Sequence, residues 1–460
     1  MKNRKEQYKR SLRILFTLIL ILAETGVFSN VWLNEYNNYI VLPFVQKGNW
    51  FFYAVYIILF SIFLNTFDGV KYGAYRRTNI IIAQTLATIS TVFIIYLQIT
   101  LLAARFVTVL PLLLMVVADI VIISLLSTFG EWILQKLFPA KKLMVVFDNY
   151  QPDSFLTKVV LRKDKFVIDK VFNVSVGFDV LEEQIKRAEC VLIYDVHSEA
   201  RNKILKLCFE NDVRTYTTTK VSDVLVRGAE SLHIFDTPLL LYRNVGLTFE
   251  QRFLKRTLDI VVSLILIIVL SPLFLISAVL VKCYDGGPVL FRQARCTIGG
   301  KIFYIHKFRS MIVNAEKDGA PRPAEEDDKR ITPVGKFLRV TRFDELPQLL
   351  DILVGNMSLV GPRPERIEHI KQYTEEIPEF QYRLKVRGGL TGYAQLYGKY
   401  NTAPYDKLQL DLMYIQNYSF FLDIKLLLMT IKVIFIKEST EGFSKANSKK
   451  IRNKAKQNKD

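Results

Sequence analysis

LDIVVSLILIIVLSPLFLISAVLV, residues 258–281, is apolar over the length of a membrane helix yet carries Ser271-Pro272 near its middle. A helix crosses a bilayer in about 20 residues. Proline removes one helical hydrogen bond and clashes with the preceding turn, so the sequence predicts a break there. Both flanks are basic: Arg252, Lys255 and Arg256 before, Lys282, Arg292 and Arg295 after. Lysine and arginine collect on the cytoplasmic side of a membrane. Equal charge at both ends predicts a re-entrant helix, entering the lipid, turning at the proline and leaving on the same side. A kinked but ordinary span is the alternative, and the chain on either side decides between them.

Upstream lie four further apolar runs, about 12–31, 50–67, 80–102 and 106–133, each long enough to cross. Lys2, Arg4, Lys5, Lys9, Arg10 and Arg13 precede the first, and Lys71, Arg76 and Arg77 separate the second from the third. Lys136, Lys141 and Lys142 follow the fourth, whereas the two remaining connections carry only Lys47 and Arg105. The bias predicts four transmembrane helices over residues 1–140 with both ends cytoplasmic. A fifth full crossing would therefore strand everything beyond residue 281 outside the cell. From 141 to 248 short β-rich runs (Leu143–Phe147, Val191–Tyr194, Val213–Tyr216) alternate with polar helical stretches such as Val180–Ala188. That spacing predicts a small soluble α/β, Rossmann-like domain. Its first strand is followed by DNYQPD rather than a glycine-rich turn, which argues against dinucleotide binding.

The 460 residues carry a net charge of +18 and are 50% hydrophobic, a balance suited to a membrane protein facing anionic lipid or phosphate-bearing substrates. No zinc-finger or RNA-binding signature accompanies the charge, so no nucleic-acid partner is expected. Cys190, Cys208, Cys283 and Cys296 form no C-x-x-C pair, which excludes a disulfide framework or zinc site read from spacing. A hard cation held by carboxylates and phosphates remains open.

The chemistry-bearing residues lie beyond the proline-broken helix. In RFDELPQLLDIL (342–353), Asp344 and Glu345 open an apolar helical pattern with Pro347 in its first turn. Proline is tolerated there, where the N–H groups lack helical partners. Two carboxylates at a helix start, a place suited to phosphate, suggest more than an aspartate N-cap. In KIFYIHKFRSM (301–311), period-two alternation predicts Lys307 and Arg309 on one strand face. In GPRPE (361–365), Pro362 and Pro364 restrict the backbone around Arg363, which favours a fixed guanidinium and bidentate phosphate contact. Gly388, Gly389 and Gly392 allow close approach to a ligand or a tight turn. Lys255 and Arg256 are candidates for the lipid phosphate and membrane interface. The acidic loop Asp318–Lys329 reads as a surface loop or lid, and residues 438–460 as a basic tail drawn to anionic lipid.

In order, KRTLDI, GGPVLFRQ, KFRSM, TPVGKFLRVTRFDELPQLLDIL, MSLVGPRPE and GGLTGYAQ resemble the bacterial sugar transferase family, the monotopic phosphoglycosyltransferases, over residues 249–437. The four apolar helices and α/β domain resemble its long-form subgroup, associated with capsule and exopolysaccharide. The resemblance implies a hexose-1-phosphate transferred from a UDP-sugar to undecaprenyl phosphate, with UMP released, at the bacterial cytoplasmic membrane. It makes Asp344 the covalent nucleophile and Glu345 the residue serving Mg²⁺. Arg339 matches the family's arginine and Asp411, in DKLQLDLMYI, its acidic position. The resemblance favours the re-entrant helix, because a nucleotide sugar is cytoplasmic. The extra N-terminal segments are expected to serve a homodimer. A catalytically idle assembly scaffold is the rival reading, opposed by the intact charged residues. A transporter is opposed by the scarcity of charges in the helices, chiefly Glu24 and Asp119.

Overall fold

The computed structural model describes residues 7–148, 152–242, 246–313, 315, 328–398 and 402–434. They divide into two compact units between Thr218 and Thr219. The tail and most of the acidic loop predicted from the sequence lie outside the described residues.

In the first unit, α1 (Gln7–Val31), α2 (Lys47–Thr66), α3 (Arg77–Ala103) and α4 (Leu110–Leu137) are each long and apolar enough to cross a membrane. Their outward faces are apolar side chains such as Leu22, Phe51, Phe93 and Leu125, all exposed, as lipid-facing surfaces are. Inside, Phe28 stacks on Tyr56 with centroids 4.3 Å apart. Glu24 is fully buried, and its carboxylate accepts from Thr88 Oγ1 at 3.0 Å and from Tyr56 Oη at 3.4 Å. Three helices thus meet at one acidic group.

An α/β layer follows: β1 (Lys141–Phe147), α5 (Asp153–Val160), β2 (Phe166–Asn173), α6 (Phe178–Arg187), β3 (Cys190–Tyr194), α7 (Ser198–Glu210) and β4 (Arg214–Thr217). The four strands are parallel in the order β2-β1-β3-β4. Alternation decides which face each residue serves. Met144, Val146, Val191 and Ile193 pack under Leu181, Ile185 and Ile204 of α6 and α7. Leu143, Val145, Cys190 and Leu192 pack on the α5 side with Leu156 and Val159.

The second unit begins with α8 (Val221–Arg227) and a hairpin of β5 (Glu230–Ile234) and β6 (Thr237–Leu241), then α9 (Phe249–Asp285). An antiparallel pair, β7 (Leu290–Cys296) and β8 (Ile302–Phe308), leads to α10 (Pro333–Val340) and α11 (Gln348–Val354). Beyond them lie β9 (Ser358–Val360), α12 (Ile367–Glu376), β10 (Gly389–Thr391), α13 (Tyr393–Tyr397), α14 (Pro404–Gln416) and α15 (Phe420–Ile434). The core gathers Phe303 and Ile305, Leu349 and Ile352, Leu359 and Val360, Phe380, Leu408, Leu412 and Leu426.

Helix α9 is the apolar run with its proline, and both ends pack on this one unit. At the start, Lys255 Nζ donates to Asp423 Oδ2 and Val360 O, each at 2.7 Å, and to Tyr414 Oη at 3.0 Å. Asp259 Oδ1 accepts from Leu359 N at 2.9 Å and Ser358 Oγ at 3.0 Å. Toward the other end, Phe274 meets Phe308 at 5.9 Å, Val281 is buried with Phe308 and Leu338, and Asp285 pairs with Arg309. The middle presents Leu264, Ile265, Ile268, Val269 and Ile276 outward. Contrary to a simple break, helical backbone continues across Pro272. The carbonyl orphaned by proline is four residues back, at Ile268. Ser271 Oγ donates to it at 2.8 Å. The Ser-Pro pair repairs the hydrogen bond that it removes.

Candidate active site

Strand alternation carries Phe303 and Ile305 into the core and brings Lys307 out on the same face. After α10, Arg342 takes left-handed backbone, φ 62°. Few non-glycine residues adopt that conformation, and here it turns the chain into a tight 3-10 segment, Phe343–Glu345. The predicted helix start is thereby corrected: Asp344 and Glu345 occupy this turn, and α11 begins only at Gln348, after Pro347. Neither carboxylate caps a helix. The 3-10 turn is short enough to lay both against β8.

Glu345 Oε1 accepts from Lys307 Nζ at 2.9 Å and from Arg363 Nη2 at 2.6 Å. Burial pushes Glu345 up, but Arg363 and Lys307 overcome it and hold the carboxyl well below the ordinary range. Asp344 is as little exposed, and its Oδ1 is buried with no hydrogen-bond partner. Burial and the neighbouring Glu345 raise its pKa, against the pull of Lys307, Arg339 and Arg342. Arg339 donates from Nε to Ser310 Oγ at 2.8 Å, and its charge is among those that pull the Asp344 pKa down. One carboxylate is clamped and one is held in reserve.

The GPRPE turn is seated by the glycines of GGLTGYAQ. A Cβ on Gly388 would lie 2.5 Å from Pro364 Cγ, on Gly389 2.0 Å from Gly361 N, and on Gly392 2.2 Å from Gly361 O. These glycines serve close approach between two segments of the protein itself.

Four predicted residues stand elsewhere. Arg309 lies past the end of β8, buried and paired with Asp285, so it does not share a face with Lys307 at Glu345. Lys255 is buried among its three acceptors, which removes it from any lipid phosphate. Arg256 donates to Ile352 O and Leu353 O, each at 2.6 Å, and so closes the C-terminus of α11. Asp411 is buried and paired with Arg383 at 2.7 Å, so it faces an arginine of the fold in place of a substrate phosphate. Burial pushes its carboxyl up to about 6 despite that arginine.

Sequence reasoning gave no site role to Arg383, Glu365 or Arg295, which lie in or beside the GPRPE turn. Glu365 Oε1 accepts from Lys407 Nζ at 2.7 Å, and Arg295 Nη1 donates to Pro364 O at 3.4 Å. Nothing in their spacing distinguishes Arg383 from Lys385 or Arg387. Among the described residues no group of three or more His, Cys, Asp or Glu forms a metal cage.

Among the described residues five helices are long and apolar enough to cross a membrane, and a buried carboxylate pair lies against Lys307 and Arg363, as in a membrane-associated protein with a charged site. Residues 250–437 match the family described as bacterial sugar transferase. The chain is 30% identical over 413 residues to the UDP-N-acetylgalactosamine-undecaprenyl-phosphate N-acetylgalactosaminephosphotransferase of Aeromonas hydrophila, covering 86% of this chain and 92% of that one. It is 37% identical over 254 residues to the UDP-glucose:undecaprenyl-phosphate glucose-1-phosphate transferase of Klebsiella pneumoniae, covering 54% of this chain and 53% of the relative. The undecaprenyl-phosphate galactose phosphotransferase of Salmonella typhimurium is 38% identical over 211 residues, 43% of each chain. This protein belongs to the bacterial sugar transferase family and is an enzyme of that class.

Proposed function

We propose that the enzyme transfers a hexose-1-phosphate from a UDP-sugar to undecaprenyl phosphate, opening the synthesis of a capsular or extracellular polysaccharide. The observation that carries this reading is the unequal carboxylate pair. Glu345 is locked by two cations, whereas Asp344 offers a buried oxygen with no partner. An unpaired, poorly solvated carboxylate beside cations is a suitable nucleophile toward phosphorus.

In this scheme an Asp344 oxygen attacks the β-phosphorus of the donor. The bond from that phosphorus to the bridging oxygen breaks, and UMP leaves with the electron pair. An oxygen of undecaprenyl phosphate then attacks the phosphorus held by Asp344, which restores the carboxylate and forms the lipid diphosphate sugar. Lys307, Arg339 and Arg363 orient and offset the phosphate charge. The donor set fits Mg²⁺, which commonly takes one or two carboxylates and completes its shell with substrate phosphates and water. Ionised Glu345, beside the unpartnered Asp344 oxygen, would hold the ion, and when bound it supplies charge neutralisation at the phosphates.

The same reading makes α9 a re-entrant helix at the cytoplasmic face. Its two ends each pack on residues of one unit, and its middle is apolar and exposed. Purified protein in lipid nanodiscs with undecaprenyl phosphate, offered UDP-glucose, UDP-galactose and UDP-N-acetylgalactosamine in turn, tests the proposal by UMP release. One donor should give lipid-dependent UMP with Mg²⁺ present. No UMP from any UDP-sugar would refute it.

A further inference from the structure

We propose that Arg383 is a positioning residue of the active site: from beneath the GPRPE turn it fixes the Arg363 backbone, so that the Arg363 guanidinium meets Glu345. The inference rests on the functional reading above for its kinetic arm only.

Arg383 lies in the 3-10 segment Pro378–Lys385, and its side chain is 1% exposed. A guanidinium taken out of water is costly unless its donors are matched, and here Nε and Nη2 are matched while Nη1 is buried without a hydrogen-bond partner. Asp411 Oδ2 takes Nε at 2.9 Å and Nη2 at 2.7 Å, and the Phe380 ring lies 5.0 Å beneath the guanidinium carbon. Nη2 also donates to the carbonyl of Arg363 at 2.8 Å, and Nη1 faces Glu365 Oε1 at 3.7 Å. One buried side chain therefore touches both residues that flank Pro364.

Those contacts bear directly on aim. Pro362 and Pro364 leave the turn few backbone torsions, and the carbonyl of Arg363 is the group whose rotation would swing its side chain. With that carbonyl tied to Arg383, the Arg363 guanidinium reaches Glu345 at 2.6 Å. Asp411 holds Arg383 from the opposite side, on α14. The chain of contacts runs Asp411, Arg383, Arg363, Glu345. Lysine at 383 cannot reproduce it, since a single ammonium cannot span Asp411 and the Arg363 carbonyl with the same fork.

Full-length Arg383→Lys, Arg363→Ala and the double variant in nanodiscs test this by amide exchange and by UMP release. In Arg383→Lys, exchange over residues 361–366 should rise at least tenfold while α14 and β8 keep their protection. Its kcat should fall roughly 10–100-fold with donor KM changed less, as for an interaction used in the transition state. In the Arg363→Ala background the same substitution should change kcat less than about twofold, because it acts through Arg363. Unchanged exchange over 361–366 overturns the proposal whatever the substrate proves to be, as do independent, multiplicative losses in the double variant. Should Arg383→Lys fail to fold, Asp411→Asn retains the arginine and should give the same local loosening, abolished coupling and smaller kcat loss; its absence overturns the proposal equally.

Discussion

Asp344 and Glu345 are adjacent carboxylates with opposite electrostatic fates, because Lys307 and Arg363 both choose Glu345. The raised pKa of Asp344 has a consequence for stability. Its folded pKa lies above the ordinary 3.8, so its favourable contribution is fully present below that value and lost as pH rises through the raised one. The group therefore becomes steadily less favourable to the fold as pH rises above 3.8, until the raised value is passed. Asp344→Asn should therefore raise the melting temperature at pH 7 while lowering turnover by roughly three orders of magnitude or more, as loss of a nucleophile does. The gain should shrink as pH falls toward 4. Thermal melts across that range check it, and a lower melting temperature at pH 7 would contradict the electrostatic picture. The structure brings together Asp344, Glu345, Lys307 and Arg363, which the motifs and the family resemblance had named as candidates. Arg309 and Asp411 were not assignable, because sequence gives the side chain and not its partner. Each is neutralised by a residue at a distance, Asp285 and Arg383, that no local pattern links to it.

Helices and strands were legible where hydrophobic period was long, as in α1 to α4, β1 and β3. The failures lie at element ends. An apolar pattern from Leu346 onward reads as one helix from Asp344, yet Arg342 and Pro347 split it into a 3-10 turn and α11. Basic residues before a membrane helix read as lipid contacts, yet Arg256 ends α11 by donating to two carbonyls left over at its C-terminus. Arg256→Ala should cost about 2–3 kcal/mol, the range for hydrogen bonds from a charged group in a partly buried setting. Thermal unfolding measures the loss, and the fraction still folded should retain near-normal kcat. Arg256→Lys, which can satisfy one carbonyl, should recover part of the stability. An unchanged melting point for Arg256→Ala would show that α11 does not depend on this cap.

Over the whole molecule, the apolar middle of α9 and its two anchored ends predict that Arg252 and Cys283 share one side of the membrane. Cys283 is exposed, whereas Cys190, Cys208 and Cys296 are buried, so the native chain carries a ready reporter. A membrane-impermeant maleimide should leave Cys283, and a cysteine at position 252, unlabelled in intact cells and label both in inverted vesicles. Labelling of one alone in intact cells would make α9 a full crossing. Such sidedness would keep Asp344 on the face where the proposed reaction meets its nucleotide sugar. The reaction itself is tested most directly by omitting the acceptor. Lipid-depleted enzyme mixed with its UDP-sugar and Mg²⁺ should release a burst of UMP approaching one per protein. Peptide mass spectrometry of the acid-quenched mixture should then find a hexose-phosphate on the peptide containing Asp344, discharged by undecaprenyl phosphate. UMP that appears only after the lipid is added, with an unmodified Asp344 peptide throughout, would contradict the account and replace it with direct transfer.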